Sequence, residues 1–558
     1  MRFCTRLVLL FLAMASVSSA QQTVQRTGAA DRAIKVIRGD AIRAHMRFLS
    51  STELAGRGTG TEGYQVAAQY VATQMEAIGL KPAGVNGTWF QNVPLRDYRV
   101  VPEQTSLELV REGRTETLKF GDDFVTSGDP LKTDVSVEAG LVFGGFGVTA
   151  PELQYDDYAG LDVRGKIVVA LFGAPASFPA NERAYFSDTV IKIREAVARG
   201  AVGVITILTP EDQQRYAWNW IAPQITSGGM NWLGANGVPH DTFPEIRGGA
   251  LLSPRGADVL FARAPTPLAQ VFAEAKSGKL HTFTFPGVVK MRTVSKLSEV
   301  QSPNIVGVLT GADPTLRNEY VVYTAHVDHL GLCPPVGGDN VCHGANDNAS
   351  GTATVLEIAR AFASLPRPPR RSVLFVFVTA EEKGMLGSDY FANNPTVPLS
   401  AIVANVNVDG AVGLFYAPRD VVAIGAEHST LAATFATATR RLGYQVSPDP
   451  MPEEVIFVRS DQYSFVKKGV PAVMIGGGFK AIDPKINGEA VTKGWMTTIY
   501  HTPKDNMDQP WNWQSATKGA ALEFLVGYEI AQQNARPSWN TGDFFGTKFA
   551  RRASAASQ

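Results

Sequence analysis

Along Glu62–Leu80, "EGYQVAAQYVATQMEAIGL", apolar residues recur at Tyr64, Ala67, Ala68, Val71, Met75 and Ile78. That spacing places them on one face of an amphipathic helix, and Gly79 ends it. The helical pattern extends over about residues 32–98. From about Ser302 the rhythm changes. Near-continuous apolar runs, "NEYVVY", "SVLFVFV", "SAIVANV" and "VPAVMIG", alternate with helical stretches such as "ASGTATVLEIARAFASL" and "LAATFATATRRLG". Such runs predict strands buried on both faces, and their alternation with helices predicts an α/β domain. Sheets of this kind take ligands in the crevice at the carboxyl ends of their strands.

Between these regions, "AGLVFGGFGV" and "GKIVVALFG" read as strands, and "VIKIREAVARGAVGVITIL" reads as a helix, a glycine turn and a strand. They predict a compact α+β module inserted at 131–286. The module has no histidine–carboxylate cluster, so it reads as a piece that shapes access. The expected boundaries are 32–130 and 287–535 for the two parts of the main domain. After Arg536 a polar tail, 536–558, is expected to be loosely ordered. No internal repeat is evident.

Composition narrows the classes. With 558 residues, 45% hydrophobic, 19% charged and zero formal net charge, the chain is globular and carries no basic excess for a nucleic-acid partner. The start, "MRFCTRLVLLFLAMASVSSAQQ", has Arg2 and Arg6, a short apolar core and small residues at Ser18 and Ala20. It reads as a secretory signal peptide, 1–20, which implies export to the periplasm or the medium. No later stretch reaches the roughly 18 unbroken apolar residues of a membrane span. Past residue 20 the cysteines are Cys333 and Cys342, bracketing "CPPVGGDNVC". A disulfide closing this loop is the favoured reading in an oxidising compartment, with two separate thiols as the alternative.

The candidate chemistry follows the strands. "TAHVDH" brings His326 and Asp328, "GANDNASG" Asp347, "TAEE" Glu381 and Glu382, "NVDG" Asp409, and "YHTPKD" His501. Alone, each acid is an ordinary loop charge, and Asp347 could cap the helix that starts near Ser350. Together, imidazoles and carboxylates at successive strand ends suit Zn²⁺. One ion would take His326 and Asp409, a second Glu382 and His501, with Asp347 bridging them. Asp328, two residues past His326, could hold the other imidazole N–H. Adjacent residues leaving a strand point in different directions, so Glu382 can ligate while Glu381 serves as general base.

These five segments, in this order, resemble the M28 family of zinc aminopeptidases. The stretch "AGRGTGTEGYQVAAQYVATQMEAIGLKPAG" looks like that family's N-terminal region, and "VFGGFGVTAPELQYDDYAGLDVRGKIVVALFG" with "AVARGAVGVITI" looks like a protease-associated (PA) domain. The likeness covers about residues 35–530. It implies a zinc-exopeptidase-like fold, a mixed, largely parallel sheet flanked by helices. It also implies two Zn²⁺ per chain, peptide substrates and a cis peptide after Asp347. Departures fall beside the ligands: Val327 stands where many relatives have Tyr, His329 where they have Ser, Gly410 where they have an apolar residue, and Gln462 where several have His. His329 is therefore a candidate outer-shell group, and Tyr463 a candidate for approaching substrate.

Other readings weaken. "GTGTEG" at 58–63 follows no strand, so it reads as a turn before a helix. H-E-x-x-H and G-x-S-x-G do not occur. The expected activity is removal of N-terminal residues from peptides. A carboxypeptidase or dipeptidase on the same scaffold, a single-zinc cyclase-like acyltransferase and a non-catalytic receptor-like protein are the alternatives. The complete donor set favours an enzyme.

Overall fold

The computed structural model describes residues 28–550, so the signal-peptide reading of 1–20 lies outside the described residues. The chain divides into two units: 28–93, 302–451 and 459–550 form the first, and 94–301 with 452–458 form the second. Among the described residues, no helix is long and apolar enough to cross a membrane.

The first unit is built on a mixed sheet. Across it run Lys81–Pro82, the end of Phe283–Leu309, Ser372–Val378, Tyr320–His326, Ile402–Asn407, Ala472–Gly477, Asp420–Ile424 and Gln445–Val446. The four strands from Ser372–Val378 to Ala472–Gly477 are mutually parallel, so their carboxyl ends share one edge. All seven residues of Ser372–Val378 are buried, as the unbroken apolar run predicts. Phe375 stacks on Tyr323 of the next strand at 5.7 Å. Burying each such side chain stabilises the sheet by about 1.5–3 kcal/mol.

Helices Gly39–Leu49, Glu62–Ile78, Gly351–Ala363 and Trp513–Gln532 pack together over this sheet. Glu62–Ile78 buries Tyr64, Ala67, Ala68, Val71 and Met75 and ends on Gly79 in the left-handed region (φ 94°), as its pattern predicts. Gly387 opens helix Leu386–Asn393, where a Cβ would stand 2.1 Å from the Thr379 carbonyl. Only glycine lets that helix fold back onto the loop that carries Glu381 and Glu382.

The second unit has its own sheet, with Asp134–Phe143, Ile167–Leu171, Gly203–Ile207 and Gly249–Leu252 parallel to their neighbours in that order. Its extent differs from the expected 131–286. Strands Ser106–Arg111 and Asp134–Phe143 flank residues 288–292 on either side, so the flanks 94–130 and 287–301 belong to this unit's sheet.

The tail also differs from expectation. Phe544–Phe549 is a helix in the first unit, Phe545 is fully buried, and Asp543 Oδ2 lies 2.6 Å from His428 Nδ1. The apolar Phe544, Phe545 and Phe549 precede the polar end of the sequence; residues 551–558 lie outside the described ones. Cys333 and Cys342 form the favoured disulfide, across the hairpin of Leu332–Val336 and Asp339–Val341.

Candidate metal centre

The parallel register sets the site. His326 is the last residue of its strand and pairs level with Val378, and Thr324 pairs with Asn407. The loops that leave these strands therefore start from one edge, and they carry Glu381, Glu382 and Asp409 to the same place. Asp347 lies in the helical turn Ala345–Ser350 ahead of helix Gly351–Ala363. It does not cap that helix: Asn348 Oδ1 accepts from Gly351 N at 2.9 Å instead. The Asp347–Asn348 peptide is cis, as the resemblance implies. Ala380 and His501 both hold left-handed backbone, at φ 54° and 58°, a costly conformation for residues with a Cβ that clusters at functional sites.

The two oxygens of Asp347 face different histidines. Oδ1 is 3.2 Å from His326 Nε2, and Oδ2 is 3.2 Å from His501 Nε2. Asp409 Oδ1 lies 3.4 Å from His326 Nε2, and Glu382 Oε2 lies 3.1 Å from His501 Nε2. His326 thus has Asp347 and Asp409 beside it, and His501 has Asp347 and Glu382. One donor atom from each of His326, Asp347 and Glu382 falls within 4.8 Å of the other two. His501 Nε2 is buried, close to two carboxylates, and makes no hydrogen bond to either. A nitrogen aimed at a point between oxygens behaves this way, and the imidazole–carboxylate set suits zinc.

The charges are strongly coupled. Burial alone would lower His326, but Glu381 and Asp409 outweigh it and hold its pKa well above the usual range. Burial would likewise lower His501, yet Glu382 and Asp347 raise it to about 10. For Glu382, burial and the Asp347 charge are overcome by His501 and His329, which bring it to about 2. Glu381 goes the opposite way. Burial pushes it well above the carboxylate range, with His326 opposing and Asp461, Asp409 and Glu382 adding. The adjacent pair thus separates into an anion and a proton acceptor of raised basicity. Glu381 Oε2 sits 3.9 Å from His326 Nε2.

The structure changes the part expected of Asp328. Its main-chain carbonyl, not its carboxylate, takes His326 Nδ1–H at 3.1 Å, while its Oδ1 lies 4.0 Å from that nitrogen. The strand ends at His326, so the alternation that places residues two apart on one face no longer holds. The carboxylate instead accepts from Glu381 N (3.1 Å), Glu382 N (3.4 Å) and Thr59 Oγ1 (3.2 Å), fixing the glutamate loop. His329 is a neighbour of the centre, with Nδ1 2.6 Å from Glu382 Oε1.

Tyr463 is buried at 3% exposure and packs edge-on against Phe545 and Phe549. The aromatic at the centre is Tyr500. Its ring stacks on His501 at 3.7 Å, and burial with the charges of Asp347, Glu382, Glu381 and Asp409 holds its hydroxyl well above the usual phenol range. Its position next to His501 in sequence was the available signal. Ser460 also escapes the sequence reading: its Oγ donates to Asp409 Oδ2 at 2.7 Å and leaves Oδ1 facing His326. So do Arg57 and Asp505, which hold the main chain around the donors.

Residues 304–524 match the model of "Peptidase family M28". The curated relative "Aminopeptidase NAALADL1" of Mus musculus is 36% identical over 129 residues, 22% of this chain and 16% of its own length. "Aminopeptidase YwaD" of Bacillus subtilis is 35% identical over 94 residues, 17% of this chain and 18% of its own length. The chain thus spans less than a fifth of the length of either relative. An aminopeptidase from Aneurinibacillus sp. strain AM-1 shares the fold, at a TM-score of 0.53 and 19% identity, over 91% of this chain and 97% of that one. The segment 304–524, which matches the model of peptidase family M28, is the one that carries His326, Asp347, Glu381, Glu382, Asp409 and His501.

Proposed function

We propose that the protein is an exported two-zinc aminopeptidase. The observation that carries this reading is the bridging posture of Asp347, whose two oxygens each face a different histidine–carboxylate pair at 3.2 Å. His326 and Asp409 would hold one ion, Glu382 and His501 the other, with Asp347 shared. When bound, the zinc pair supplies Lewis-acid polarisation of the scissile carbonyl and lowers the pKa of the attacking water.

The chain's own residues do the rest. Glu381, with its raised basicity, takes the proton of the attacking water as the oxygen–carbon bond forms. It then gives that proton to the amine nitrogen as the carbon–nitrogen bond breaks. The Tyr500 hydroxyl, neutral at working pH, donates a hydrogen bond to the oxyanion that develops. Glu381 and Asp409 offer negative charge to the free amino terminus of a peptide. Asp328 holds the glutamate loop, so that the base and the ligand keep separate directions. In this reading the second unit is a PA-like module. The Cys333–Cys342 disulfide supports an oxidising compartment.

The test is zinc content followed by a panel of aminoacyl fluorogenic substrates and their N-blocked versions. Two zinc ions per chain and cleavage of the free-amine substrates alone are expected. Cleavage of blocked substrates would refute aminopeptidase action, and one zinc per chain would favour a cyclase-like acyltransferase.

A further inference from the structure

The bridging carboxylate sits on a five-residue stretch whose main chain is held from both sides. Arg57 is 1% exposed, and the side-chain hydrogen bonds it makes go to carbonyls. They are His343 O (2.7 Å), Gly344 O (3.0 Å), Val327 O (2.8 Å) and Leu49 O. Asp505, also fully buried, holds the other half. Its main-chain carbonyl accepts from Ala345 N at 3.0 Å, its Oδ1 from Asn346 N at 2.9 Å and its Oδ2 from Asp347 N at 3.0 Å. Every residue from His343 to Asp347 therefore gives one main-chain group to one of these two residues.

The placement is unusual for such side chains. A buried guanidinium and a buried carboxylate normally pair with each other or with a salt-bridge partner. Here each is turned onto peptide groups, the cation onto carbonyls and the anion onto N–H groups. Both also reach a second donor loop. Arg57 holds the carbonyl of Val327, next to His326, and Asp505 lies four residues past His501.

We propose that Arg57 and Asp505 are paired positioning residues that clamp residues 343–347 and so fix the Asp347 carboxylate between its two histidines. This inference rests on the two-zinc reading. The clamp sets both the height of Asp347 and its rotation, because opposite ends of the same short stretch are fixed by fans of hydrogen bonds. The hydrogen bonds of both residues reach zinc through the main chain of residues 343–347, and Arg57 also sets its positive charge near Asp347 and Glu382.

The test uses the full-length protein and measures zinc affinity by chelator competition, beside the melting temperature. Asp505→Asn keeps the shape of the side chain but turns an amide NH2 towards one of the N–H groups it held. Arg57→Lys keeps the charge but cannot span four carbonyls. Each is expected to weaken zinc binding by about 10–100-fold, the range for losing a group that orients a ligand. The double variant should weaken it by less than the product of the two single effects, because both act on one stretch. A lowered melting temperature with zinc affinity of the folded protein within about twofold of wild type would overturn the clamp and leave a structural role. If Arg57→Lys fails to fold, Asp505→Asn decides on the same criterion. A wild-type chain that takes up no zinc would instead remove the metal centre itself, a failure distinct from that of the clamp.

Discussion

Asp157 of the second unit is a buried carboxylate whose oxygens are both engaged. Oδ2 accepts from Phe146 N at 2.9 Å and Val148 N at 3.0 Å, and Oδ1 from the Tyr155 hydroxyl at 2.7 Å. Nearby Lys192 donates to Leu171 O at 3.0 Å. In the first unit, buried titratable groups are left open in the same low-polarity surroundings. His501 Nε2 and His329 Nε2 have no hydrogen-bond partner, and Asp347, Glu382, Asp409 and Glu381 crowd round two imidazoles. Burial costs both sets alike. In one unit the cost is offset by local donors that close the network; in the other it is offset in part by imidazole–carboxylate pairs, which leave His501 Nε2 and His329 Nε2 without a hydrogen-bond partner. Closed networks mark structure, and open ones mark a site.

The largest break of that contrast is at Glu381. In Glu381→Gln the zinc content should stay at the wild-type value while turnover falls by about 10³-fold, within the range of a general base. Zinc analysis and steady-state kinetics check it. Unchanged turnover would make Glu381 one more buried charge, no different in kind from Asp157.

The matching cut in the second unit is Asp157→Ala. It leaves three donors without their acceptor and should lower stability by about 3 kcal/mol. Zinc affinity and kcat of the folded enzyme should not change. A lost zinc ion in this variant would show that the second unit's network also serves the centre.

Tyr500→Phe sharpens the first unit's side of the comparison. Removing one oxyanion donor should lower kcat by about 100-fold with KM little changed, the low end of what such donors contribute. An equal loss in Tyr463→Phe would undo the assignment, since Tyr463 packs into the aromatic cluster of the C-terminal helix.

The two tyrosines show where sequence was informative. The donors were legible because a buried parallel strand announces itself as an apolar run and ends at a fixed edge. A polar residue just beyond such a run must lie there. Tyr463 and Tyr500 carry no comparable periodic signal, and only adjacency to His501 distinguished the second. The Asp328 carboxylate was misdirected for a related reason: alternation rules stop when the strand stops, which is at His326. Arg57 and Asp505 were invisible altogether. Their partners on residues 343–347 include groups 286–287 and 158–159 residues away along the chain, and main-chain carbonyls and N–H groups leave no mark on a sequence. The tail was misread because its helix is short and sits against a polar end.

The smallest effect is a pH dependence confined to the closed network. Burial lifts Asp157 to about 6, against the pull of Tyr155, Val148 and Phe146. A carboxyl raised above its unfolded value binds more protons in the folded state. Its contribution to stability is therefore present at low pH and lost as pH rises through the folded value. Between pH 5 and 7 this loss should be about 1 kcal/mol. Lys192, brought down to about 7 by burial against the charges of Asp157 and Asp212, gives the reverse sign. The folded state holds fewer protons there, so stability recovers as pH rises above 7. Melting temperatures of wild type and Asp157→Asn, taken as a difference across pH 4–9, isolate the falling limb from the titration of the metal centre. The difference should change by about 1 kcal/mol between pH 5 and 7, and Lys192→Met should remove the recovery at higher pH. A pH-independent difference for Asp157→Asn would mean that its three donors hold the carboxylate charged throughout, a network closed even more tightly than its burial implies.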